Sequence, residues 1–448
     1  TEQKVEKERL LIMGAAGRDF HNFNCVYRND ARFEVVGFTA STQIPGIAGR
    51  PYPPNLSGPL YPEGLPIWAE EDLEKVIKEQ RVNRCLLSYS DLPYSTVMAR
   101  AARVLAAGAD FGLISHATTM VKSCKPVVAV TAVRTGCGKS QVSRRVIEGL
   151  RANGKTVCLC RHPMPYGDLA AQAVQRFGCY DDLAKNNVTI EEREEYEQHI
   201  LTGTTVWAGV DYEAILRRAE QEVDIVLFDG GNNDLPFFKP DLWICIADPH
   251  RLGHEQSYYP GDINFLNADV IIINKANTAP AGSIDQLKAT AAKLNPKARV
   301  IVTNSEVVTS NPEVIEGKRC VIIDDGPTLT HGEMSYGAGQ VAADKYNAAE
   351  VIDPKPFAVG SILDTLTKWP HMGKLIPAMG YFPEQVADLQ RSIDACDCDS
   401  IIVATPMDLT KIITINKPNC VVTYGVENVG DAPYINTLMD EFVAKFCQ

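Results

Sequence analysis

The residues best suited to chemistry form one run, Arg134-Thr135-Gly136-Cys137-Gly138-Lys139-Ser140-Gln141. Small residues there let backbone N–H groups curl around phosphate oxygens. An ammonium at Lys139 offsets the charge of a β/γ-phosphate pair, and the Ser140 hydroxyl can ligate Mg²⁺ at the positive end of a helix. That chemistry needs a strand to deliver the loop and a helix to follow it. Residues 127–131 are an unbroken apolar run rich in β-branched side chains, and from Gln141 onward the apolar spacing becomes helical. The stretch therefore reads as strand, phosphate loop and helix. It departs from the eight-residue Walker pattern at one position, where Val133 stands in place of the first glycine.

Four further loops carry reactive groups. Asp229 closes an apolar strand at 223–228 and reads as the second Walker carboxylate, able to hold Mg²⁺ or its water. A strand at 242–247 ends in Asp248-Pro249-His250-Arg251-Leu252-Gly253-His254-Glu255, a dense set of acids, bases and anion-binding groups. Asn274-Lys275-Ala276-Asn277 follows a strand at 269–273. A guanine-reading loop would carry Asp at its fourth place, and the amide of Asn277 leaves ATP and GTP both open. The loop at 324–339, with Asp325, Thr328, Thr330, His331 and Tyr336, offers hydroxyls, an imidazole and N–H groups to a phosphate or carboxylate. The acidic run TIEEREEYEQ at 189–198 reads most simply as a solvated helix face.

The chain of 448 residues exceeds one ordinary core. Alternation of strand and helix patterns divides it into a Rossmann-like block at 1–125, a phosphate-loop block at 126–317, and a third α/β block at 318–448 that adds substrate loops. The first block has a small-residue turn at 14–17 after its opening strand, but lacks the full dinucleotide spacing. Its long loop at 43–66 is either a lid or a domain-contact arm. A net charge of −12 argues against general binding to nucleic acid or anionic membranes, so an anionic ligand would need a local positive site. No leader pattern or spanning apolar run is evident, and the cysteines, odd in number at thirteen, read as reduced core thiols; cytoplasm is the expectation.

Taken together, TGCGKSQ at 135–141, DGGNND at 229–234, DPHRLGHE at 248–255, YYPGDIN at 258–264, NKAN at 274–277 and DGPTLTHGEMSYGAG at 325–339 resemble the predicted P-loop GTPases grouped with cyclic 2,3-diphosphoglycerate synthetase. The resemblance implies an N-terminal Rossmann-like domain, a central P-loop domain of the signal-recognition/MinD-like class and a C-terminal α/β part completing the site. It also implies a homodimer, with Arg134 at the signature-lysine position, and a small anionic substrate, 2-phosphoglycerate or 2,3-diphosphoglycerate. In that reading the enzyme is an ATP- or GTP-dependent phosphotransferase or ligase. Lys139 and Mg²⁺ on Ser140 and Asp229 would stabilise the transferred phosphoryl, and His250, Arg251 and His331 would orient the acceptor. The alternatives are a regulatory or metallochaperone-type GTPase, in which His250, His254 and cysteines would pass a metal or a conformational signal, and an interaction protein with a degenerate pocket; in the enzyme reading His254 would contact substrate.

Overall fold

In the computed structural model the described residues are all except 1–5, 15–16, 42–45, 162–166, 232–233, 310, 327–334, 381, 431–433 and 448. The N-terminal block is a six-stranded sheet in the order Pro51–Tyr52, Leu65–Ala69, Phe33–Ala40, Glu8–Gly14, Arg84–Leu87, Asp110–Leu113. All its pairings are parallel except that of Pro51–Tyr52 with Leu65–Ala69. The long loop expected at 43–66 is not a lid in its described part. Ile47, Tyr52 and Tyr61 are buried in this block's core, and Arg50 Nη1 donates to the Gly167 carbonyl at 2.8 Å, which makes the segment a contact arm.

The rest of the chain builds one sheet of thirteen strands. We label them β1 (Val127–Ala132), β2 (Val157–Arg161), β3 (Gln175–Phe177), β4 (Val206–Ala208), β5 (Ile225–Asp229), β6 (Leu242–Ala247), β7 (Val270–Ile273), β8 (Arg299–Thr309), β9 (Arg319–Asp325), β10 (Glu350–Val351), β11 (Ile376–Ala378), β12 (Ser400–Ala404) and β13 (Asn419–Asn428). The order is β3-β4-β2-β5-β1-β6-β7-β8-β13-β12-β9-β10, with β11 also pairing β9. The Asp229 strand thus lies directly beside the phosphate-loop strand, as a P-loop nucleotide fold requires. Parallel strands covered on both faces must be apolar at every position. Accordingly Val128, Val130 and Ala132 of β1 pack on one face, and Val127 and Ala129 pack on the other with Phe228 and Phe237.

β8 continues beyond its parallel pairing with β7 and pairs antiparallel with β13, from Thr303 opposite Asn428 to Thr309 opposite Val422. Through this pairing the second and third blocks share one sheet. The chain then returns in the C-terminal helix, Ile435–Phe446, to lie on helix α1 (Lys139–Ala152). Met439 and Phe442 join the phosphate-loop core, and a Cβ on Gly149 would sit 2.9 Å from Met439 Cγ. We expect Met439→Ala to lower stability by about 2–4 kcal/mol, read as a lower urea midpoint; an unchanged midpoint would show that this helix is not part of the cooperative unit.

Candidate functional site

The phosphate loop is held open from behind. Gly136 and Gly138 have φ of 85° and 106°, a region in which only glycine sits without strain. A Cβ at Gly138 would also collide with the Asn274 amide. Asn274 Nδ2 donates to the Cys137 carbonyl at 3.1 Å, while its oxygen accepts from Thr303 Oγ1 at 2.9 Å. Lys275 Nζ donates to the Gly136 carbonyl at 2.6 Å and pairs with Asp248 at 2.8 Å. Val133, at the missing-glycine position, is buried, and its carbonyl is approached so closely by Gly261 that any side chain at 261 would clash.

Asp248 is the anchor of this scaffold. His250 Nδ1 lies 2.9 Å from it and Arg251 Nη2 lies 3.3 Å from it. Burial alone would raise its pKa, but Lys275, His250 and Arg251 hold it well below the usual carboxylate range. The loop dense in reactive groups thus divides. His250 reaches the pocket, its Nε2 lying 2.8 Å from the Thr278 carbonyl. Arg251 instead braces the loop from behind, donating to Cys137 Sγ at 3.3 Å. His254 sits 3.0 Å from Arg134, which is itself only 2 % exposed, pairs with Asp91 at 2.6 Å and lies over the Tyr258 ring. Arg134, Arg251 and His254 are therefore not on the phosphate pocket, because buried partners from other elements hold them elsewhere.

The pocket has a volume of about 200 Å³ and opens between the phosphate loop and the third block. Thr135, Gly136, Gly138, Lys139, Ser140 and Gln141 form one wall; Asp325 and Tyr336 lie on another. Thr328, Thr330 and His331 lie outside the described residues. Lys275 reaches the pocket, but Asn277 spends its amide on Ser305, donating to the carbonyl at 2.8 Å and accepting from the N–H at 3.0 Å.

Within the phosphate wall Lys139 pairs directly with Asp229. The other Asp229 oxygen accepts from Ser143 Oγ at 2.7 Å and is 2.9 Å from Arg161 Nη1. Burial would raise the Asp229 pKa, yet Lys139 and Arg161 bring it down to about 2. Both Asp229 oxygens are thus engaged by the chain's own side chains. Glycine N–H groups, a lysine and the Ser140 hydroxyl line one cavity and fit a polyphosphate chain.

Opposite stands helix α2 (Ile190–Leu201), the acidic run expected to be solvated. It is mostly buried, because each glutamate has a partner on another element or at the helix start. Glu192 completes a capping box with Thr189, Glu191 accepts from the Gly380 N–H at 3.1 Å, Glu195 pairs with Arg161 at 2.6 Å and Glu197 accepts from the Asp408 N–H at 3.1 Å. Glu194, Glu195 and Gln198 line the pocket, as do Arg144 and Arg161. Arg161 stands at a strand end, the place where a sheet of this kind meets its ligand, whereas nothing in the local sequence marks Arg144 or Glu194. Asp324, also on the pocket, is buried and accepts N–H bonds from Asp325 and Gly339 at 2.9 and 3.0 Å. Burial pushes its carboxyl up to about 7.

A phosphate cradle on a parallel sheet, with a lysine and an adjacent strand-end aspartate, defines a nucleotide-dependent P-loop enzyme. No family model matches the chain. It is 54% identical over 443 residues to the arginine synthetase ArcE of Thermococcus kodakarensis, spanning 99% of this chain and 98% of that protein, and it belongs to that family. Among solved structures, LpxK from Aquifex aeolicus in complex with ATP is 13% identical and aligns over 73% of this chain and 90% of its own, with a TM-score of 0.43. A DUF1611 family protein from Anabaena variabilis is 12% identical over 66% of this chain and 86% of its own, with a TM-score of 0.19. Among the described residues no helix is long and apolar enough to cross a membrane.

Two expectations follow from the site. Lys139→Ala should lower nucleotide turnover by at least about 100-fold while the thermal midpoint moves by less than about 5 °C, since Asp229 keeps Arg161 and Ser143; undiminished turnover would remove the phosphate loop from the chemistry. Asp324 holds its proton in the folded chain at pH values where the unfolded carboxyl, at 3.8, has lost it. Its stabilising contribution is therefore complete below the unfolded value and is lost as pH rises through about 7. Raising pH from about 5 to about 8 should lower the wild-type melting temperature more than that of Asp324→Asn, and equal slopes would refute the assignment.

Proposed function

We propose that the protein is a cytoplasmic ATP-dependent ligase that makes the guanidinium group of arginine. The observation that carries this reading is the pairing of a phosphate cradle with a wall of carboxyls, buried Glu194 and Asp324 and half-buried Asp325, in one pocket. A cationic or amine-bearing substrate would favour the ionised form of these carboxyls and be held there, whereas a polyanionic phosphoglycerate would disfavour it. Kinship over nearly the whole length with a protein named arginine synthetase supports the same conclusion.

The chemistry follows from what a P-loop can do. It transfers a γ-phosphoryl group to an oxygen, and the oxygen-bearing counterpart of a guanidinium is a ureido group, so the acceptor is L-citrulline. The ureido oxygen takes the phosphoryl group and ADP leaves. Ammonia then forms the new C–N bond as the C–O bond to phosphate breaks, giving arginine and inorganic phosphate. Lys139 would neutralise charge on the transferred group, Ser140 and the loop N–H groups would position the nucleotide, and His250 would border the acceptor.

The test is to incubate the purified protein with ATP, citrulline and ammonium chloride, and separately with 2-phosphoglycerate or 2,3-diphosphoglycerate, following phosphorus by NMR and amino acids by chromatography. Arginine, ADP and phosphate in equal amounts are expected. A phosphorylated or cyclised glycerate, with no arginine, would replace this reading by the phosphoglycerate one; slow hydrolysis indifferent to every acid would favour the regulatory GTPase.

A further inference from the structure

The phosphate site leaves one glutamate of helix α2 without a part in it. Glu194 is 6 % exposed and lies on the pocket. Its Oε1 accepts a hydrogen bond from Thr405 Oγ1 at 2.8 Å, while Oε2 is buried, with only the Asp325 carboxyl acting on it among the described residues. Burial, and then the neighbouring Asp325 carboxyl, raise the Glu194 pKa well above the usual range. A desolvated carboxyl with one oxygen unmatched is an unfavourable arrangement for the empty protein. It becomes favourable when a ligand brings N–H donors or positive charge.

The neighbourhood narrows the ligand. The adjacent Glu195 is already committed to Arg161, which in turn is paired with Asp229 beside Lys139. This chain fixes helix α2 across from the phosphate loop, so Glu194 faces the same space into which Lys139 and Ser140 project.

We propose that Glu194 and Asp325 form the seat of the reacting nitrogen: they hold ammonium through charge-assisted hydrogen bonds, and Glu194 accepts the proton that ammonium must lose before it attacks. This rests on the ligase reading above. In the step, an N–H bond of ammonium breaks and its proton passes to Glu194 Oε2. The freed lone pair forms the bond to the phosphorylated ureido carbon, and the C–O bond breaks with its electrons leaving on phosphate, which takes up the second proton that the new nitrogen sheds. The carboxyl then returns its proton to water. Neutral Thr405 keeps Glu194 oriented without supplying a competing charge.

The experiment compares wild type, Glu194→Gln and Asp325→Asn in steady-state assays with ATP and citrulline saturating and ammonium chloride varied, with ATP affinity measured by calorimetry. Glu194→Gln keeps the shape and the Thr405 contact but cannot take the proton. It should lower kcat/KM for ammonium by about 100-fold and leave the ATP dissociation constant within twofold. Hydroxylamine, neutral at the assay pH, should restore a larger share of wild-type turnover than ammonium does. Should Glu194→Gln lose ATP binding through misfolding, Asp325→Asn is read in the same way, with KM for ammonium expected to rise. An unchanged kcat/KM for ammonium in folded variants, or an equal loss with both nucleophiles, overturns the seat. A wild type that makes no arginine instead overturns the ligase reading, so the two failures are separable.

Discussion

The structure depends on a buried chain of alternating charges, Lys139, Asp229, Arg161 and Glu195, that runs from the phosphate loop to helix α2. Each member would be costly to bury alone and is offset by the next, and Asp229 is paired on both sides, so that loss of Lys139 alone still leaves it Arg161 and Ser143. The consequence is geometric as well as energetic. The helix cannot move away from the nucleotide wall without breaking the Glu195 pair, and Glu194 is thereby held in the pocket. Asp229 stands at the centre of this chain, paired with Lys139 through one oxygen and with Arg161 and Ser143 through the other.

A second scaffold stabilises the opposite side of the loop. Asp248 gathers Lys275, His250 and Arg251, and Lys275 and Asn274 carry that order onto the carbonyls of Gly136 and Cys137. The NKAN segment therefore supports the phosphate loop through its first two residues, while Asn277 is occupied with the Ser305 backbone. With the phosphate side built this firmly, the selectivity of the enzyme rests on the facing wall, where β9, β12 and helix α2 contribute Asp324, Asp325, Ala404 and Glu194.

Much of this was legible in the chain because some signals are local. A buried parallel strand followed by Gly136-Cys137-Gly138-Lys139-Ser140 specifies a phosphate loop within a few residues, and β5 ends on Asp229 as the run 223–228 implies. Burial of charge is not local. The run TIEEREEYEQ states polarity and helical spacing, but its partners Gly380, Thr405 and Asp408 arrive some 190 to 210 residues later. Density of reactive groups misled in a related way: 248–255 carries His250, Arg251 and His254 together, yet only His250 points to the pocket, since Cys137 and Arg134 claim the other two. The antiparallel joining of β8 to β13 was likewise invisible, because an alternating strand does not announce which edge it meets.

The central claim is that the phosphate loop drives C–N bond formation by phosphorylating an oxygen of the acceptor. The most direct measurement is the fate of that oxygen, followed by turning over citrulline labelled with ¹⁸O in the ureido group in the presence of ATP and ammonium and observing the isotope shift by phosphorus NMR. The account predicts ¹⁸O in inorganic phosphate, one label for each arginine formed. Label released into water, or carried on a nucleotide, would contradict it.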